Sequence, residues 1–183
     1  RSPSREEGPA VQVLLQALGD PSWPYPAESI RQKGHNLAAF RSGAAPGPTL
    51  FLVSHHDTVP ASPAWTRPPW EPTMEGDRLY GLGANDAKGC LSAMHTAFRQ
   101  ARIGRGRLVL VAAAEEEVGR NGLEIFLPEL PPADLAIVGE PTGLEIATAQ
   151  NGMLLLDCIA HGRAGHAARP QLADNAISKM ARD

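Results

Sequence analysis

Three apolar runs in this sequence end in side chains that could bind a metal ion. The runs and the polar residues that follow them are 49–53 with His55 and Asp57, 107–114 with Glu115, Glu116 and Glu117, and 133–138 with Glu140. Imidazole nitrogens and carboxylate oxygens are ligands that zinc accepts in proteins. If the runs are parallel strands, their carboxyl ends meet at one edge of a sheet, where α/β proteins bind ligands. The sequence therefore predicts a metal site at that edge.

Each of these residues also has an ordinary structural interpretation. The pair His55 and Asp57 is weak evidence alone, although a carboxylate near a histidine can fix the orientation of a ligating ring. A run of glutamates is usually a solvated surface, but adjacent carboxylates repel one another and a cation would relieve the repulsion. Glu140 needs a partner if it is buried. His56 faces the opposite side of an extended chain from His55 and is interpreted as non-ligating.

Two further candidates stand outside the strand ends. Asp86 follows the glycine-rich segment 79–85 and precedes a predicted helix. It could cap that helix or bridge metal ions, and the two roles are compatible because a carboxylate has two oxygens. His166 lies among small residues in 162–167, where the pattern alone favours an ordinary loop histidine.

Strands and helices alternate in the part of the chain that must position these side chains. Helices are predicted over 11–18 and from Asp86 to Ala101, because apolar residues there repeat at helical spacing. The Gly- and Pro-rich segments 21–26, 41–48 and 59–73 are predicted to be loops or turns. Together with the three buried strands, this pattern predicts an α/β layered fold with a largely parallel sheet.

The character of the chain changes after Thr148. The elements predicted beyond it are a strand over 153–160, a loop over 161–170 and a helix that starts near Asp174. This helix reaches Asp183 without a stop signal, so the chain is expected to be truncated. We predict one domain over 1–150 and the start of a second over 151–183.

Bulk composition argues against several classes of function. The chain has 183 residues, 43% of them hydrophobic, and a net charge of -3 from 17 basic and 20 acidic residues. A nucleic-acid surface would show a basic excess, and no apolar run is long enough to span a membrane. Cys90 and Cys158 have apolar neighbours and are predicted to be buried free thiols. With no signal-peptide pattern at the start, this predicts a cytoplasmic protein.

Five segments together resemble the zinc metallopeptidase and deacylase family that includes acetylornithine deacetylase, succinyl-diaminopimelate desuccinylase and glutamate carboxypeptidase. They are SHHDTVP (54–60), LYGLGANDAKG (79–89), AAEEEVG (113–119), VGEPT (138–142) and GRAGHAARP (162–170). They occur in the family's order and spacing. The run WTRPPW followed by LYGLG most resembles acetylornithine deacetylases. The resemblance implies a three-layer catalytic domain of the zinc-exopeptidase type over 1–150, and the start of an α+β lid domain, used for dimerisation, over 151–183.

The resemblance also implies a role for each candidate residue. The implied metal ligands are His55 and Glu140 at a first zinc, Glu117 at a second zinc, and Asp86 between the two. Glu116 would be the general base. Asp57 would orient His55 or help to hold the base. His166 would reach the active site of the partner subunit and support the oxyanion, whereas Glu115 is given no direct role.

The implied activity is metal-dependent hydrolysis of the amide bond of an N-acyl amino acid, as in acetylornithine deacetylase. The alternatives are a desuccinylase or an exopeptidase of the same family, or an inactive metal-binding fragment. The implied cofactor is a pair of Zn²⁺ ions, for which Co²⁺ could substitute. The expected partners are a small N-acyl amino acid or peptide substrate and a second copy of the chain, with neither nucleic acid nor membrane.

One family feature has no match in this sequence. The family completes its second zinc site with a histidine near the C-terminus, and relatives are much longer than this chain. The resemblance therefore implies a loaded first site and a weak or empty second site in these 183 residues.

Overall fold

The chain forms two compact units. The computed structural model describes residues 1–119, 122–152, 154 and 156–182. The units are Arg1–Glu145 and Ile146–Asp183, which divide a few residues before the predicted boundary at 150. The assignment of the second unit to a lid domain stays a prediction.

The first unit is built on a five-stranded sheet. Its strands and those of a separate hairpin are β1 (Ser29–Lys33), β2 (Asn36–Ser42), β3 (Ala45–His55), β4 (Thr73–Glu75), β5 (Arg78–Tyr80), β6 (Arg105–Ala113) and β7 (Leu135–Val138). The sheet order is β1-β2-β6-β3-β7, and β4 pairs with β5. β3 runs parallel to β6 and β7, whereas β1 and β2 are antiparallel additions. The predicted α/β fold is confirmed, because the three strands that the sequence predicted form the parallel part.

Apolar side chains cover both faces of this sheet. They alternate along β6, so that Leu108 and Leu110 face one side while Val109 and Val111 face the other. The first side packs against α1 (Gly8–Gly19) and α2 (Lys88–Gln100). The second side packs against a segment of short 3₁₀ turns between Leu123 and Glu129. The result is a layered unit whose central sheet is held from both sides.

The predicted helices and loops are largely where the sequence places them. α1 extends the predicted helix by three residues at its start, and 21–26 and 59–72 have no regular structure. α2 begins at Lys88 rather than at Asp86. In the described part of the chain, every helix falls short of the length and apolar character that crossing a membrane requires.

The turn predicted over 41–48 was wrong. β2 continues to Ser42 and β3 already begins at Ala45. Ala45 pairs with β6, and the register then shifts before Thr49. Since a proline has no N–H for the ladder, this irregularity accommodates Pro46 and Pro48 within the strand.

β7 forms as predicted but is not buried on both faces. Leu135, Ile137 and Val138 are 65%, 53% and 63% exposed. β7 pairs with β3 and is the last strand in the sheet order. An apolar run indicates a strand, but the neighbours that would cover its side chains are not encoded in the run itself.

The strand predicted over 153–160 is not observed among the described residues. Met153 and Leu155 lie outside the described part, and the residues around them have no regular structure. Cys158 is an exposed free thiol, so its predicted burial was wrong. The prediction of burial assumed that Cys158 and its apolar neighbours form a packed strand.

The second unit contains the helix predicted near Asp174. This helix, α3, spans Ala176–Met180. Asn175 caps it, since its side-chain oxygen accepts hydrogen bonds from the backbone N–H groups of Ile177 at 3.0 Å and Ser178 at 3.2 Å.

Candidate metal centre

The carboxyl ends of three parallel strands finish at the same level of the sheet. Val53 of β3 is the register partner of both Val111 in β6 and Val138 in β7. β3 therefore ends in His55 beside the glutamates that follow β6 and the Glu140 that follows β7. This is the arrangement that the three apolar runs predicted.

Four of the candidate side chains converge there. Ligand atoms of His55, Asp86 and Glu117 all lie within 4.8 Å of one another. Nε2 of His55 is 3.0 Å from Oδ1 of Asp86 and 3.9 Å from Oε2 of Glu140. We refer to these four residues as the candidate metal centre. Imidazole nitrogen with carboxylate oxygens is the donor set of many catalytic zinc sites.

The electrostatics of the candidate metal centre fit a bound cation. Burial raises the pKa of Glu117, and the negative charge of Asp86 raises it further. Burial also raises the pKa of Glu140. The positive charge of His55 lowers this pKa, whereas the negative charge of Asp86 raises it. Burial alone would lower the pKa of His55, but Asp57 and Asp86 outweigh it and raise this pKa to about 9. A divalent ion would supply the positive charge that these crowded carboxylates lack.

Asp86 does not cap the helix that follows it. The N-cap of α2 is Ala87, with no side-chain capping hydrogen bond, and the peptide bond between the two residues is cis. The carboxylate of Asp86 instead faces His55. The approach to Asp86 requires glycine at position 83, where φ is 78° and a Cβ would lie 2.5 Å from Cγ2 of Thr58.

Asp57 lies behind the metal centre and is fully buried. Its Oδ1 is 3.3 Å from Nδ1 of His55, a charge contact rather than a well-aligned hydrogen bond. Oδ1 accepts from the backbone N–H of Glu116 at 3.1 Å, and Oδ2 from that of Glu117 at 3.2 Å and from Oγ of Ser4 at 2.6 Å. Burial raises the pKa of Asp57, but these donors and His55 outweigh it and lower the pKa to about 2. Asp57 thus contacts both the histidine and the backbone that carries the predicted base.

The glutamates after β6 point in different directions because the chain turns sharply there. We call residues 114–117 the base turn. Glu115 adopts a left-handed conformation with φ 56°, and its carboxylate lies 3.8 Å from Nε of Arg5. Glu117 faces the metal centre, while the side chain of Glu116 is exposed. The charge of Glu116 contributes to the raised pKa of both Glu117 and Glu140.

Two histidines of the sequence motifs are not among the converging residues. His56 is fully buried, and its Nε2–H donates to the carbonyl oxygen of His35 at 3.0 Å. His166 lies in the second unit, where its Nδ1 accepts from the backbone N–H of Ala168 at 3.1 Å. Its role beside the oxyanion stays a prediction, as do the individual roles of the converging residues.

Sequence reasoning missed the residues that support the base turn from behind. Glu7 and Asn36 are buried polar residues, and each accepts a hydrogen bond from the base turn. Glu7 and its partner Glu115 are 108 residues apart. A sequence pattern that is read locally has no signal for such a contact.

Comparison with known proteins identifies the family. The model of peptidase family M20/M25/M40 matches residues 51–179 of the chain. Because this match covers well over half of the sequence, the chain belongs to that peptidase family. The comparison confirms the predicted family, while the particular member stays a prediction.

Solved structures show the same fold. An M20 family metallo-carboxypeptidase, Sso-CP2 from Sulfolobus solfataricus, is 28% identical with a TM-score of 0.53, over 73% of this chain and 31% of its own. A tripeptidase from Staphylococcus aureus is 19% identical with a TM-score of 0.58, over 99% and 51%. The aminopeptidase PepT from Bacillus cereus is 19% identical with a TM-score of 0.60, over 98% and 51%. The chain thus spans between 31% and 51% of these three structures.

Proposed function

We propose that the complete protein hydrolyses the amide bond of an N-acyl amino acid, as acetylornithine deacetylase does, with Zn²⁺ at the candidate metal centre. The convergence of one imidazole and three carboxylates beside the carboxyl ends of β3, β6 and β7 carries this proposal. Membership of a peptidase family supports amide hydrolysis as the class of reaction. The particular N-acyl substrate rests on the resemblance of the sequence motifs.

The four side chains of the metal centre would divide between two ions. His55 and Glu140 would hold the first zinc, Glu117 would hold the second, and Asp86 would reach both. A bound divalent ion polarises an amide carbonyl and lowers the pKa of a nearby water molecule. Asp57, whose Oδ1 lies 3.3 Å from Nδ1 of His55, would help to orient the imidazole.

Glu116 would be the group that moves the proton. Its side chain is exposed beside the metal centre, on a turn whose N–H groups are held by Asp57. In the proposed reaction Glu116 takes a proton from the attacking water and passes it to the departing amine. The products are a carboxylate and a free amino acid.

A peptide is the second candidate substrate. Sso-CP2, which is 28% identical to this chain, is described as a metallo-carboxypeptidase. Hydrolysis of a peptide bond is the same reaction as hydrolysis of an N-acyl amide bond. Acetyl-ornithine, acetyl-citrulline, succinyl-diaminopimelate and a set of dipeptides would separate the alternatives. The proposed function predicts the highest kcat/KM for an acetylated amino acid, and a higher value for dipeptides would assign an exopeptidase instead.

Replacement of the predicted base tests the mechanism. In the zinc-loaded full-length protein, Glu116→Gln removes the proton acceptor and keeps the shape of the side chain. We expect kcat to fall by about 10²- to 10⁴-fold with zinc content unchanged. Glu124→Gln, at an exposed glutamate of a nearby turn, is the matched control and should keep the wild-type rate.

The outcomes of this experiment are distinct. A Glu116→Gln variant that keeps its rate would show that Glu116 is not the base. A zinc-loaded wild-type protein that cleaves no amide of the panel would overturn the proposed function as a whole.

A further inference from the structure

Four consecutive backbone N–H groups of the base turn donate to buried side-chain oxygens. The pairs are Ala114 with Oδ1 of Asn36 at 2.9 Å, Glu115 with Oε1 of Glu7 at 3.2 Å, Glu116 with Oδ1 of Asp57 at 3.1 Å, and Glu117 with Oδ2 of Asp57 at 3.2 Å. All three accepting side chains are at most 1% exposed. A backbone held at each successive N–H has little freedom to change the direction of the two glutamates that it carries.

Of the three accepting side chains, Asp57 has a role in the proposed mechanism, whereas Glu7 and Asn36 have none so far. Glu7 is the acceptor for the N–H of Glu115. It occupies the N-cap of α1, but its side chain makes no capping hydrogen bond. The carboxylate instead lies between two partners, with Oε2 2.8 Å from Nδ1 of His35 and Oε1 bonded to the N–H of Glu115. Burial of a carboxylate is unfavourable unless such partners offset it.

The segment before α1 is anchored beside the metal centre. The backbone N–H of Ser4 donates to the carbonyl of Thr58 at 3.1 Å, and the N–H of Thr58 donates to the carbonyl of Ser2 at 2.9 Å. Oγ of Ser4 also donates to Asp57. Glu7 therefore extends from a fixed segment rather than from a free terminus.

Glu115 needs an external constraint. Its φ of 56° and ψ of 26° lie in the left-handed region, which is uncommon for a residue with a side chain. Such conformations persist where the surroundings fix them. The acceptor of its backbone N–H is Glu7, so loss of that oxygen would let Glu115 relax and redirect the residues that follow it.

We propose that Glu7 is a positioning residue: it fixes the left-handed Glu115 and thereby directs Glu116 towards the substrate and Glu117 towards the metal. The part concerning Glu116 rests on the proposed function. The part concerning Glu117 involves metal binding alone and can be measured without a substrate.

Three variants of the zinc-loaded full-length protein test this role. Glu7→Ala removes the acceptor oxygen, whereas Glu7→Gln keeps an amide oxygen for the N–H of Glu115 and loses only the charge. Glu6→Ala is the matched control, because its side chain is 67% exposed and, among the residues that the structure describes, pairs with Arg1 at the surface. Zinc affinity would be measured by competition with a chromophoric chelator, and kcat and KM on the best substrate of the panel.

We expect Glu7→Ala to weaken zinc binding about 10-fold or more, and to lower kcat per folded, zinc-loaded chain about 10- to 100-fold with little change in KM. Glu7→Gln should retain most of the wild-type zinc affinity and most of the wild-type kcat, and Glu6→Ala should match the wild type in both. A merely structural role would reduce the folded fraction but leave zinc affinity and kcat per folded chain unchanged, and that result would overturn the proposal. A Glu7→Gln variant as impaired as Glu7→Ala would also overturn it.

Two outcomes need a further measurement, namely a Glu7→Ala variant that does not fold and a wild-type protein without activity. If Glu7→Ala does not fold, Glu7→Asp shortens the side chain by one methylene and keeps the charge. Weaker zinc binding in that variant supports the proposal, and wild-type affinity refutes it. If the wild-type protein cleaves none of the amides, the proposed function fails, and zinc affinity alone decides the role of Glu7.

Discussion

Asp57 shows how much of the site depends on a single buried side chain. Its two oxygens contact His55 on one side and the N–H groups of Glu116 and Glu117 on the other. Oγ of Ser4 adds a third donor. A buried charge is tolerated when its environment favours the ionised form, and these donors explain why Asp57 remains a carboxylate.

Asp57→Asn should destabilise the metal-free chain in a pH-dependent way. The pKa of Asp57 falls from 3.8 to about 2 on folding, so the stabilisation it contributes is complete above 3.8 and is lost as the pH falls towards 2. A shift of this size corresponds to roughly 2 kcal/mol of unfolding free energy. We expect the variant to be about 2 kcal/mol less stable near neutral pH and the difference to shrink towards a pH of about 3.

Urea unfolding across this pH range measures the effect. Asp77→Asn, at an exposed loop carboxylate, is the control and should follow the wild type at every pH. A difference between Asp57→Asn and wild type that stays constant with pH would contradict the assignment of the stabilisation to the ionised carboxylate.

At the residue scale, the sequence predicts the candidate side chains that follow strands, Asp57 among them. It misses the supporting residues that lie far from these strand ends in the chain. His55, Glu117 and Glu140 were predicted because each follows an apolar run that fixes its place at the sheet edge. Glu7 and Asn36 follow no such run. Their contacts with the base turn arise only when α1 and β2 pack beside β6, so they could not be predicted from local pattern.

At the scale of the elements, the buried side chain of Arg99 connects α1 with α2. Arg99 of α2 is fully buried, and its guanidinium donates to the carbonyl of Ala17 at 3.1 Å and to those of Leu18 and Asp20. The last carbonyls of a helix have no partner within the helix. Arg99 satisfies them at the end of α1 and so fixes how the two helices cover the sheet.

Arg99→Met should lower the unfolding free energy by about 2–4 kcal/mol, because it keeps an extended side chain but removes the guanidinium donors to the carbonyls of Leu18 and Asp20. The carbonyl of Ala17 keeps its contacts with His95 and with the N–H of Asp20. Arg102→Met changes an exposed arginine just after the same helix and should have an effect within about 0.5 kcal/mol. Urea denaturation of both variants checks the prediction. Equal stability of the two would mean that water satisfies the end of α1 as well as Arg99 does.

The strands that sequence failed to predict are those with polar residues inside them. β2 contains Asn36 and Arg41, both buried, which interrupt any apolar run. The guanidinium of Arg41 is satisfied by the carbonyls of Phe98 and Ala101, and Asn36 by the base turn. Hydrogen bonds to residues distant in the sequence thus allow buried polar side chains in β2, where the local sequence pattern does not predict a strand.

For the molecule as a whole, the described residues provide unequal support for two metal ions. The proposed first site has His55, Asp86 and Glu140, whereas the proposed second site has only Asp86 and Glu117 among the described residues. Catalytic zinc ions generally have at least three protein ligands. The chain also spans between 31% and 51% of the three structures with which it was compared.

We therefore expect about one zinc ion per molecule of the 183-residue chain after dialysis against zinc-free buffer, and almost none in Asp86→Ala. Elemental analysis with a protein determination gives this ratio. Asp77→Ala, at an exposed carboxylate, should retain the wild-type zinc content. Two zinc ions per wild-type chain would mean that another residue of this chain completes the second site. A folded chain that binds no zinc when zinc is supplied would mean that the converging carboxylates do not form a metal site on their own.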